Sequence, residues 1–386
     1  MVDTGLTCPY FETNTCRSCS LLPMPYGQQL LQKQGAVEQA MRQAGIEAKV
    51  EACVGSDPNF GSRNKAKMVV GGNTAHPKLG LIDENLRVRD LTACPLLLPS
   101  MLPLLRVLRD GISRHGLKPY AVPERTGELK FCILRQSEST KETMLRFVAK
   151  SRQDEAGYRK LASELQKQFP ELKVVTLNVQ PIHQAILEGP EEYVLSEKSV
   201  IQEQMGDVRL FISPQSFTQV TSNVALKLYQ TVAKIAAAKT ARKVLDVYCG
   251  GGAFSLFLAS QAESVLGIER SKQAVGDAIL SAELNKFANT SFIATDVEAW
   301  LQTQPDLQFD FVVVNPPRRG LEAGLRKYLV NLGAATIVYS SCNPETLARD
   351  LKDLGVVYEI ERIEPFDMFP LTDHVETLVT LKRRAE

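Results

Sequence analysis

The sequence is short of cysteine, of net charge and of long apolar runs, and each shortage excludes a class of protein. Eight cysteines in 386 residues are too few for a disulfide scaffold. The 45 basic and 44 acidic side chains leave a net charge of +1, which excludes a strongly basic nucleic-acid-binding domain but allows a local basic face. No apolar run approaches the ~20 residues of a membrane-spanning helix.

The start of the chain has no charged segment followed by an apolar core, so it does not resemble a secretion signal and we expect a cytoplasmic protein. The composition, 44% hydrophobic and 23% charged, is typical of a globular chain and excludes a disordered, collagen-like or coiled-coil protein. The length predicts two or three domains. We expect a monomer without a membrane partner.

The first half of the sequence predicts an α+β, mostly antiparallel arrangement. Helices are predicted at 26–48, 96–115 and 152–168, and strands at 129–135, 144–150, 173–178 and within a hairpin at 192–213. The second half changes near residue 214. A helix at 218–238 precedes a strand at 243–248. Continuous apolar runs, typical of strands covered on both faces, follow at 264–268, 291–295, 309–314 and 335–340, with two further strands near 356–363 and 374–382.

This alternation of strands and helices predicts an α/β, Rossmann-like doubly wound sheet that binds ligands at the carboxyl ends of its strands. We therefore divide the chain into a segment at 1–95, a central domain at 96–213 and a catalytic domain at 214–386. The helix at 96–115 is expected to pack on the catalytic domain.

A glycine-rich turn at Gly250-Gly251-Gly252 follows the first strand of the catalytic domain and indicates a nucleotide-type cofactor, because glycine lets a backbone approach a ligand closely. Glu269 ends the next strand, where a carboxylate binds ribose hydroxyls, and Asp296 follows the third strand, where adenine is recognised. S-adenosylmethionine and NAD sites share this geometry, and so does a plain tight turn. Ser255, in place of a third glycine, favours S-adenosylmethionine.

Asn315-Pro316-Pro317-Arg318 follows the fourth strand, and its prolines stiffen a loop beside the cofactor. An ordinary proline-rich turn is the alternative. Enzymes that methylate amino groups place an aromatic residue after such a proline pair, so Arg318 argues against an exocyclic amine as the target.

Cys342 follows the fifth strand in a polar Ser-Ser-Cys-Asn-Pro loop, a setting in which a thiolate is reactive. Cys249, in the glycine loop, is interpreted as a packing residue. His374 and Glu376 enter the last strand, where a carboxylate can act as a general base or simply lie on a solvated edge. One thiolate, one base and one methyl donor are the groups needed to methylate C5 of a pyrimidine by covalent catalysis.

Cys8, Cys16, Cys19 and Cys94 form a set of four thiols that suits a zinc ion or an iron–sulfur cluster. Four unrelated buried cysteines are the alternative. Cys53 or Cys132 is a substitute for Cys94.

Taken together, these motifs resemble those of the S-adenosylmethionine-dependent RNA uracil-C5 methyltransferases, over nearly the whole chain, and are most similar to the bacterial branch that acts on 23S ribosomal RNA. The segments that carry the resemblance are 8–19, 61–70, 90–96, 216–219, 246–250, 315–318 and 342–376. The resemblance implies Cys342 as the nucleophile, Glu376 as the base that removes the C5 proton, and a [4Fe–4S] cluster on Cys8, Cys16, Cys19 and Cys94. It also implies cofactor contacts from Gln219, Tyr248, Gly250, Glu269 and Asn315, although relatives often have Asp at position 315.

RNA binding is predicted for a basic loop at Arg63, Asn64, Lys65 and Lys67, which suits phosphate contacts, and for Arg318. A solvated turn is the alternative, and Phe60 is placed to stack on an unpaired base. Three other functions stay open at this point. They are methylation of transfer RNA, an iron–sulfur RNA-binding protein with an inactive methyltransferase domain, and an NAD-dependent oxidoreductase.

Overall fold

A computed structural model describes residues 6–183, 188–303 and 307–385. The helices are α1 (Pro9–Glu12), α2 (Tyr26–Gln43), α3 (Leu102–Arg114), α4 (Glu155–Gln168), α5 (Ser222–Ala238), α6 (Ala253–Ala259), α7 (Lys272–Asn285), α8 (Val297–Gln302), α9 (Ala323–Leu332) and α10 (Pro344–Leu354). A short 3-10 turn, Pro99–Met101, precedes α3. Within this described part of the chain, no helix has both the length and the apolar character needed to cross a membrane.

The first sheet has seven strands and forms the N-terminal half of the molecule. Its strands are β1 (Lys65–Gly72), β2 (Pro77–Ile82), β3 (Val88–Asp90), β4 (Leu129–Gln136), β5 (Thr143–Ala149), β6 (Leu172–Val179) and β7 (Glu191–Val194), in the order β3-β2-β1-β4-β5-β6-β7. All pairs are antiparallel except β5 with β6. Burial alternates along most of β1, as expected for a strand with one face on a core.

The second sheet also has seven strands and confirms the predicted methyltransferase-like α/β fold. Its strands are β10 (Lys243–Val247), β11 (Ser264–Glu269), β12 (Thr290–Ala294), β13 (Phe311–Val314), β14 (Thr336–Ser341), β15 (Tyr358–Phe366) and β16 (Glu376–Arg383), in the order β12-β11-β10-β13-β14-β16-β15. Strands β10 to β14 are parallel, whereas β16 runs antiparallel to both β14 and β15. Every residue of β13 and β14 is buried, because helices cover both faces.

A separate hairpin joins the two halves of the molecule. It consists of β8 (Ile201–Met205) and β9 (Val208–Ile212). The Phe211 backbone N–H donates to Ser281 Oγ on α7 at 2.8 Å, so the hairpin lies against the second sheet's helical layer. The hairpin predicted within 192–213 is therefore confirmed for 201–212, while β7 joins the first sheet.

The helix α3 packs differently from the sequence-based expectation, and α2 covers the sheet on which α3 was expected. Helix α3 buries Leu104, Leu105 and Leu108 against the first sheet and not against the catalytic sheet. The apolar side of α2, including Val37 and Met41, packs on the catalytic sheet instead. The strands β1 to β3 also pair with β4 to β7 across the proposed boundary at residue 95, whereas the boundary near 214 lies between β9 and α5. The division into three segments stays a prediction.

Candidate active site

A cavity of about 560 Å³ lies at the carboxyl ends of the parallel strands, where a doubly wound sheet places its ligands. This cavity is lined by every residue predicted to bind the cofactor or to take part in catalysis, and by Arg318, which was predicted to bind RNA. The nine residues are Gln219, Tyr248, Gly250, Glu269, Asp296, Asn315, Arg318, Cys342 and Glu376. They come from the carboxyl ends of the five parallel strands β10 to β14, from the start of β16 and from the segment before α5. The fold thus brings together residues that are as far as 157 positions apart in the chain, counting from Gln219 to Glu376.

The glycine loop between β10 and α6 has the geometry of a ligand cradle. A Cβ atom built on Gly250 or Gly251 would meet no atom within 4 Å, so this backbone faces open space. At Gly252, φ is +79° and an added Cβ would lie 2.8 Å from Ala278 Cβ, which explains why only glycine fits there. The loop therefore presents bare backbone to a ligand on one side and packs tightly on the other.

The carboxylate of Glu269 lies directly beside this loop. Its Oε2 accepts from the Gly250 backbone N–H at 3.3 Å, and its Oε1 accepts from the Ser271 backbone N–H at 2.8 Å. Below the loop, buried Asp246 accepts from Ser255 N and Ser255 Oγ. Burial raises the pKa of Asp246 to about 7. Ser255, noted in the sequence as the missing third glycine, therefore anchors the loop to its strand.

The nucleophile candidate Cys342 lies between β14 and α10 and is half-buried. Asn343 caps α10, because its side chain accepts from the backbone N–H groups of Glu345 and Thr346. The Asn343 side chain also donates to the Arg318 carbonyl at 3.3 Å. The loop that carries Cys342 is thereby tied to the Asn-Pro-Pro-Arg loop.

The base candidate Glu376 opens β16 and is 2% exposed. Ser340 Oγ donates to Glu376 Oε1 at 2.5 Å. Burial raises the pKa of Glu376 to about 7, and the Ser340 hydrogen bond opposes that rise. The pKa of the Cys342 thiol is also raised, first by burial and second by the charge of Glu376, whereas Arg318 lowers it. The thiol and the carboxyl group are therefore close enough to affect each other.

His374, unlike Glu376, is not among the described residues that line the cavity. It is exposed and makes an edge contact with Phe369, with ring centroids 5.9 Å apart. Phe369 itself lines the cavity, as does Phe217, whose side chain is 65% exposed. Sequence reasoning did not single out these two aromatic residues, although each belongs to a motif that it used, Ser-Phe-Thr-Gln and Phe-Asp-Met-Phe-Pro.

The predicted basic loop does not line the cavity, apart from Asn64. Arg63 is half-buried. Burial lowers its pKa, and the nearby thiols of Cys19 and Cys94 oppose that fall. Lys65 is half-buried opposite Arg135 on β4, and burial lowers its pKa to about 7. Lys67 is exposed. RNA binding by these three cations stays a prediction.

The four cysteines near the N-terminus and at position 94 gather at one place. Cys8, Cys19 and Cys94 pack around Leu22, Leu96 and Leu371. Burial raises the pKa of Cys19 to about 12, and the neighbouring thiols Cys94, Cys16 and Cys8 raise it further. Within residues 6–183, 188–303 and 307–385, no three His, Cys, Asp or Glu side chains are arranged to hold a metal ion.

The alternative cysteines lie elsewhere. Cys132 is buried in the core of the first sheet, and Cys53 lies near the Lys33 and Asp367 charges. Cys249 is 6% exposed and packs close to Gly267, and it also lines the cavity.

Comparison with known proteins gives three findings. The model of the tRNA (uracil-5-)-methyltransferase family matches residues 138–384. The 23S rRNA (uracil(747)-C(5))-methyltransferase RlmC of Pectobacterium atrosepticum is 40% identical over 376 residues, which cover 97% of this chain and 99% of that protein. RlmC of Yersinia pestis is also 40% identical, over 97% of this chain and 100% of that protein.

Among solved structures, the chain is similar to the Pyrococcus abyssi tRNA (uracil-54, C5)-methyltransferase in complex with S-adenosyl-L-homocysteine. The TM-score is 0.77 at 27% sequence identity, and the match covers 94% of this chain and 85% of that one.

Proposed function

The chain belongs to the family of S-adenosylmethionine-dependent RNA uracil-C5 methyltransferases, and we propose that it methylates C5 of a single uridine in 23S ribosomal RNA. The substrate is taken from the RlmC relatives, which match it over almost their whole length. We further propose that the target corresponds to the uracil-747 of their name. A cytoplasmic, monomeric enzyme is part of this proposal.

The observation that carries the chemistry is that Cys342 and Glu376 line the same cavity as the glycine loop. When bound, S-adenosylmethionine supplies an electrophilic methyl group. The residues fit such a donor, because the loop at Gly250 and Gly251 offers open backbone and Glu269 offers a carboxylate for ribose hydroxyls. Gln219, Tyr248, Asp296 and Asn315 complete the proposed contacts.

The reaction begins when the Cys342 thiolate adds to C6 of the flipped uracil and forms an S–C6 bond. The electron pair of the C5–C6 double bond moves toward C4 and its oxygen, so C5 becomes nucleophilic. C5 would then take the methyl group as its bond to the donor sulfur breaks, and S-adenosylhomocysteine would be the leaving group. The Glu376 carboxylate then removes the C5 proton. The C–H electrons re-form the double bond, the S–C6 bond breaks, and the thiolate leaves.

The protonation states follow from the environment of each group. A base with a pKa near the working pH is the most effective, and burial gives Glu376 a pKa of about 7. Arg318 lowers the pKa of Cys342, and we propose that it also contacts the RNA. The position of Cys342 just before a helix N-terminus stabilises its thiolate further.

The direct test uses two variants and unmodified 23S ribosomal RNA with labelled methyl donor. Cys342→Ala should abolish methyl transfer. In Glu376→Gln, Cys342 should still add to C6 and the uracil should still be methylated, but the C5 proton should not be removed and the RNA should not be released. The variant should therefore accumulate a protein–RNA adduct that a denaturing gel shows. Cys249→Ala is the matched control and should form no adduct. Unchanged turnover in Cys342→Ala would exclude the mechanism.

Transfer RNA is the second candidate substrate, because the Pyrococcus abyssi neighbour is named for it. Parallel assays with unmodified 23S ribosomal RNA and unmodified transfer RNA decide between them. We expect methylation of the ribosomal RNA, at one nucleotide that mapping identifies. Methylation of the transfer RNA alone would overturn the substrate assignment but not the chemistry.

We also propose that Cys8, Cys16, Cys19 and Cys94 hold a [4Fe–4S] cluster with a structural role, because methyl transfer needs no electrons. What supports the proposal is the chemistry of the donor set, because Cys8, Cys19 and Cys94 pack in one cluster and Cys16 acts on the Cys19 thiol. In the described residues these side chains do not yet converge on one metal position. Anaerobic purification should yield iron and sulfide in equal amounts. Cys16→Ser should lose them, whereas Cys132→Ser should retain them. Metal-free protein from anaerobic purification would refute this assignment.

A further inference from the structure

Three buried polar side chains of the cavity lining take no part in the proposed chemistry and have atoms without a hydrogen-bond partner among the described residues. They are Asn64, Arg135 and Glu203, with exposures of 1%, 4% and 3%. Asn64 Oδ1, Arg135 Nε, Arg135 Nη1 and Glu203 Oε2 have no hydrogen-bond partner within the described residues. A buried polar atom left without a partner costs about 1–3 kcal/mol, so three such side chains facing one cavity indicate a ligand.

The three residues come from separate elements of the N-terminal half. Asn64 precedes β1, Arg135 lies in β4, and Glu203 lies in the hairpin strand β8. The charges of Arg135 and Glu203 act on each other, yet no ion pair joins them among the described residues. A gap between opposite charges, open to the cavity, leaves room for a charged group of each sign.

The hydrogen bonds of Asn64 connect this triad to a proposed cofactor contact. Asn64 Nδ2 donates to the Gln219 carbonyl at 3.3 Å and to Ser222 Oγ at 3.0 Å. Gln219 is a proposed cofactor contact. The Cys342 thiol, in contrast, lies in the field of Glu376 and Arg318. Asn64 therefore lies beside a proposed cofactor contact, and Arg135 acts, together with Glu376, on the buried Tyr229 hydroxyl.

The triad offers one cation with two free N–H groups and two free acceptors. An α-amino acid presents the complement, a carboxylate that accepts and an ammonium group that donates. A uracil edge is neutral and presents two acceptors around a single donor, so it would leave one of the triad's acceptors unpaired. The number and the charge of the free groups thus favour the amino acid.

We propose that Arg135 donates to the carboxylate of the methionine end of S-adenosylmethionine, and that Glu203 and Asn64 accept from its ammonium group. This assignment rests on the proposed function. It adds three positioning residues from the N-terminal half to the cofactor site, and it makes the two halves of the molecule jointly responsible for cofactor affinity.

The test compares two ligands by calorimetry on the full chain. S-adenosylhomocysteine carries the amino acid end, whereas 5′-methylthioadenosine lacks it. Arg135→Gln should weaken the binding of S-adenosylhomocysteine by about 10- to 100-fold, as expected for a lost charge-assisted hydrogen bond. The affinity for 5′-methylthioadenosine should stay within about twofold of the wild-type value. Glu203→Gln, which keeps size and shape, should act in the same direction. Arg159→Gln, an exposed substitution on α4, is the matched control and should change neither affinity.

Each other result has a definite meaning. Equal affinities of wild type and both variants for S-adenosylhomocysteine would overturn the inference, and so would an equal loss for both ligands. A change confined to the Michaelis constant for RNA would assign the triad to the nucleic acid instead. If the thermal midpoint shows that Arg135→Gln is unfolded, Glu203→Gln decides. Wild-type protein that binds no S-adenosylhomocysteine would refute the proposed function itself.

Discussion

At the scale of single residues, the protonation of Glu376 depends on two opposing effects. Burial disfavours the carboxylate, and the hydrogen bond from Ser340 Oγ favours it. Ser340 is opposite Leu378 in the antiparallel pair of β14 and β16, and Glu376, two residues before Leu378, lies diagonally from Ser340. The proposed proton acceptor is therefore adjusted by one hydroxyl group on the strand that Cys342 follows.

We predict that kcat/KM rises with pH in two steps. The proposed mechanism needs both the Glu376 carboxylate and the Cys342 thiolate, and both groups have raised pKa values. The first rise should lie near pH 7, as Glu376 loses its proton, and the second should lie above the ordinary thiol pKa. A profile of kcat/KM that is flat between pH 6 and 8, which bracket the Glu376 pKa of about 7, would contradict the first rise.

Ser340→Ala should move the first rise to higher pH by about one unit, because loss of a hydrogen bond to a charged acceptor costs ~1.5 kcal/mol or more. Ser341→Ala is the control. Its hydroxyl contacts Asn343 and not Glu376, so the midpoint of the first rise should stay where it is in the wild type. Profiles of kcat/KM against pH measure both variants.

At the scale of secondary-structure elements, the glycine loop shows how one turn serves both packing and binding. Its open side faces the cavity at Gly250 and Gly251, while Gly252 closes against α7 at Ala278. The positive φ at Gly252 lets α6 begin directly after the turn. The same three residues thus connect β10 to α6 and leave backbone free for a cofactor.

Gly252→Ala should lower the free energy of unfolding by about 1–2 kcal/mol, because alanine is disfavoured in the left-handed backbone conformation of this position. The close approach of the new Cβ to Ala278 Cβ should add to that loss. It should also weaken S-adenosylhomocysteine binding. Gly276→Ala is the opposite case, because an added Cβ in the middle of α7 meets nothing within 4 Å. It should raise the free energy of unfolding by up to ~1 kcal/mol. Urea denaturation and calorimetry check both substitutions.

At the scale of the whole molecule, a buried ion pair links the N-terminal segment to the catalytic half. Lys33 on α2 pairs with Asp367 just after β15, and both side chains are fully buried. Tyr26 Oη also donates to Asp367 Oδ2 at 2.7 Å, and Lys33 Nζ donates to the Phe369 carbonyl at 2.9 Å. These contacts hold the segment that places Phe369 in the cavity and leads to Glu376.

Lys33→Met should lower the free energy of unfolding by about 3–5 kcal/mol, because the Asp367 carboxylate would stay buried without its cation. The double variant Lys33→Met/Asp367→Leu should recover most of that loss. Lys49→Met, which removes an exposed pair with Glu51, should change stability by no more than ~1 kcal/mol. A double variant as unstable as Lys33→Met would contradict the explanation. Urea unfolding measures all three.

The sequence by itself determined the elements and the motifs at their ends. Apolar runs marked the buried strands of the catalytic sheet, and polar residues directly after them marked Glu269, Asp296, Asn315 and Cys342 as neighbours, since the carboxyl ends of parallel strands meet at one edge. Local periodicity and turn chemistry are sufficient for such inferences because they depend only on residues near each other in the chain.

Only the tertiary structure decided which distant segments share a surface. Arg135 and Glu203 lie in strands whose sequence has no ligand motif, and Arg63, which the sequence assigned to RNA, lies beside Cys19 and Cys94. Helix α2 covers the catalytic sheet, while α3 covers the first sheet. The physical reason is that an apolar helix face or a buried charge specifies what kind of environment it needs, but the partner that provides it is chosen by how the two sheets and the hairpin pack together.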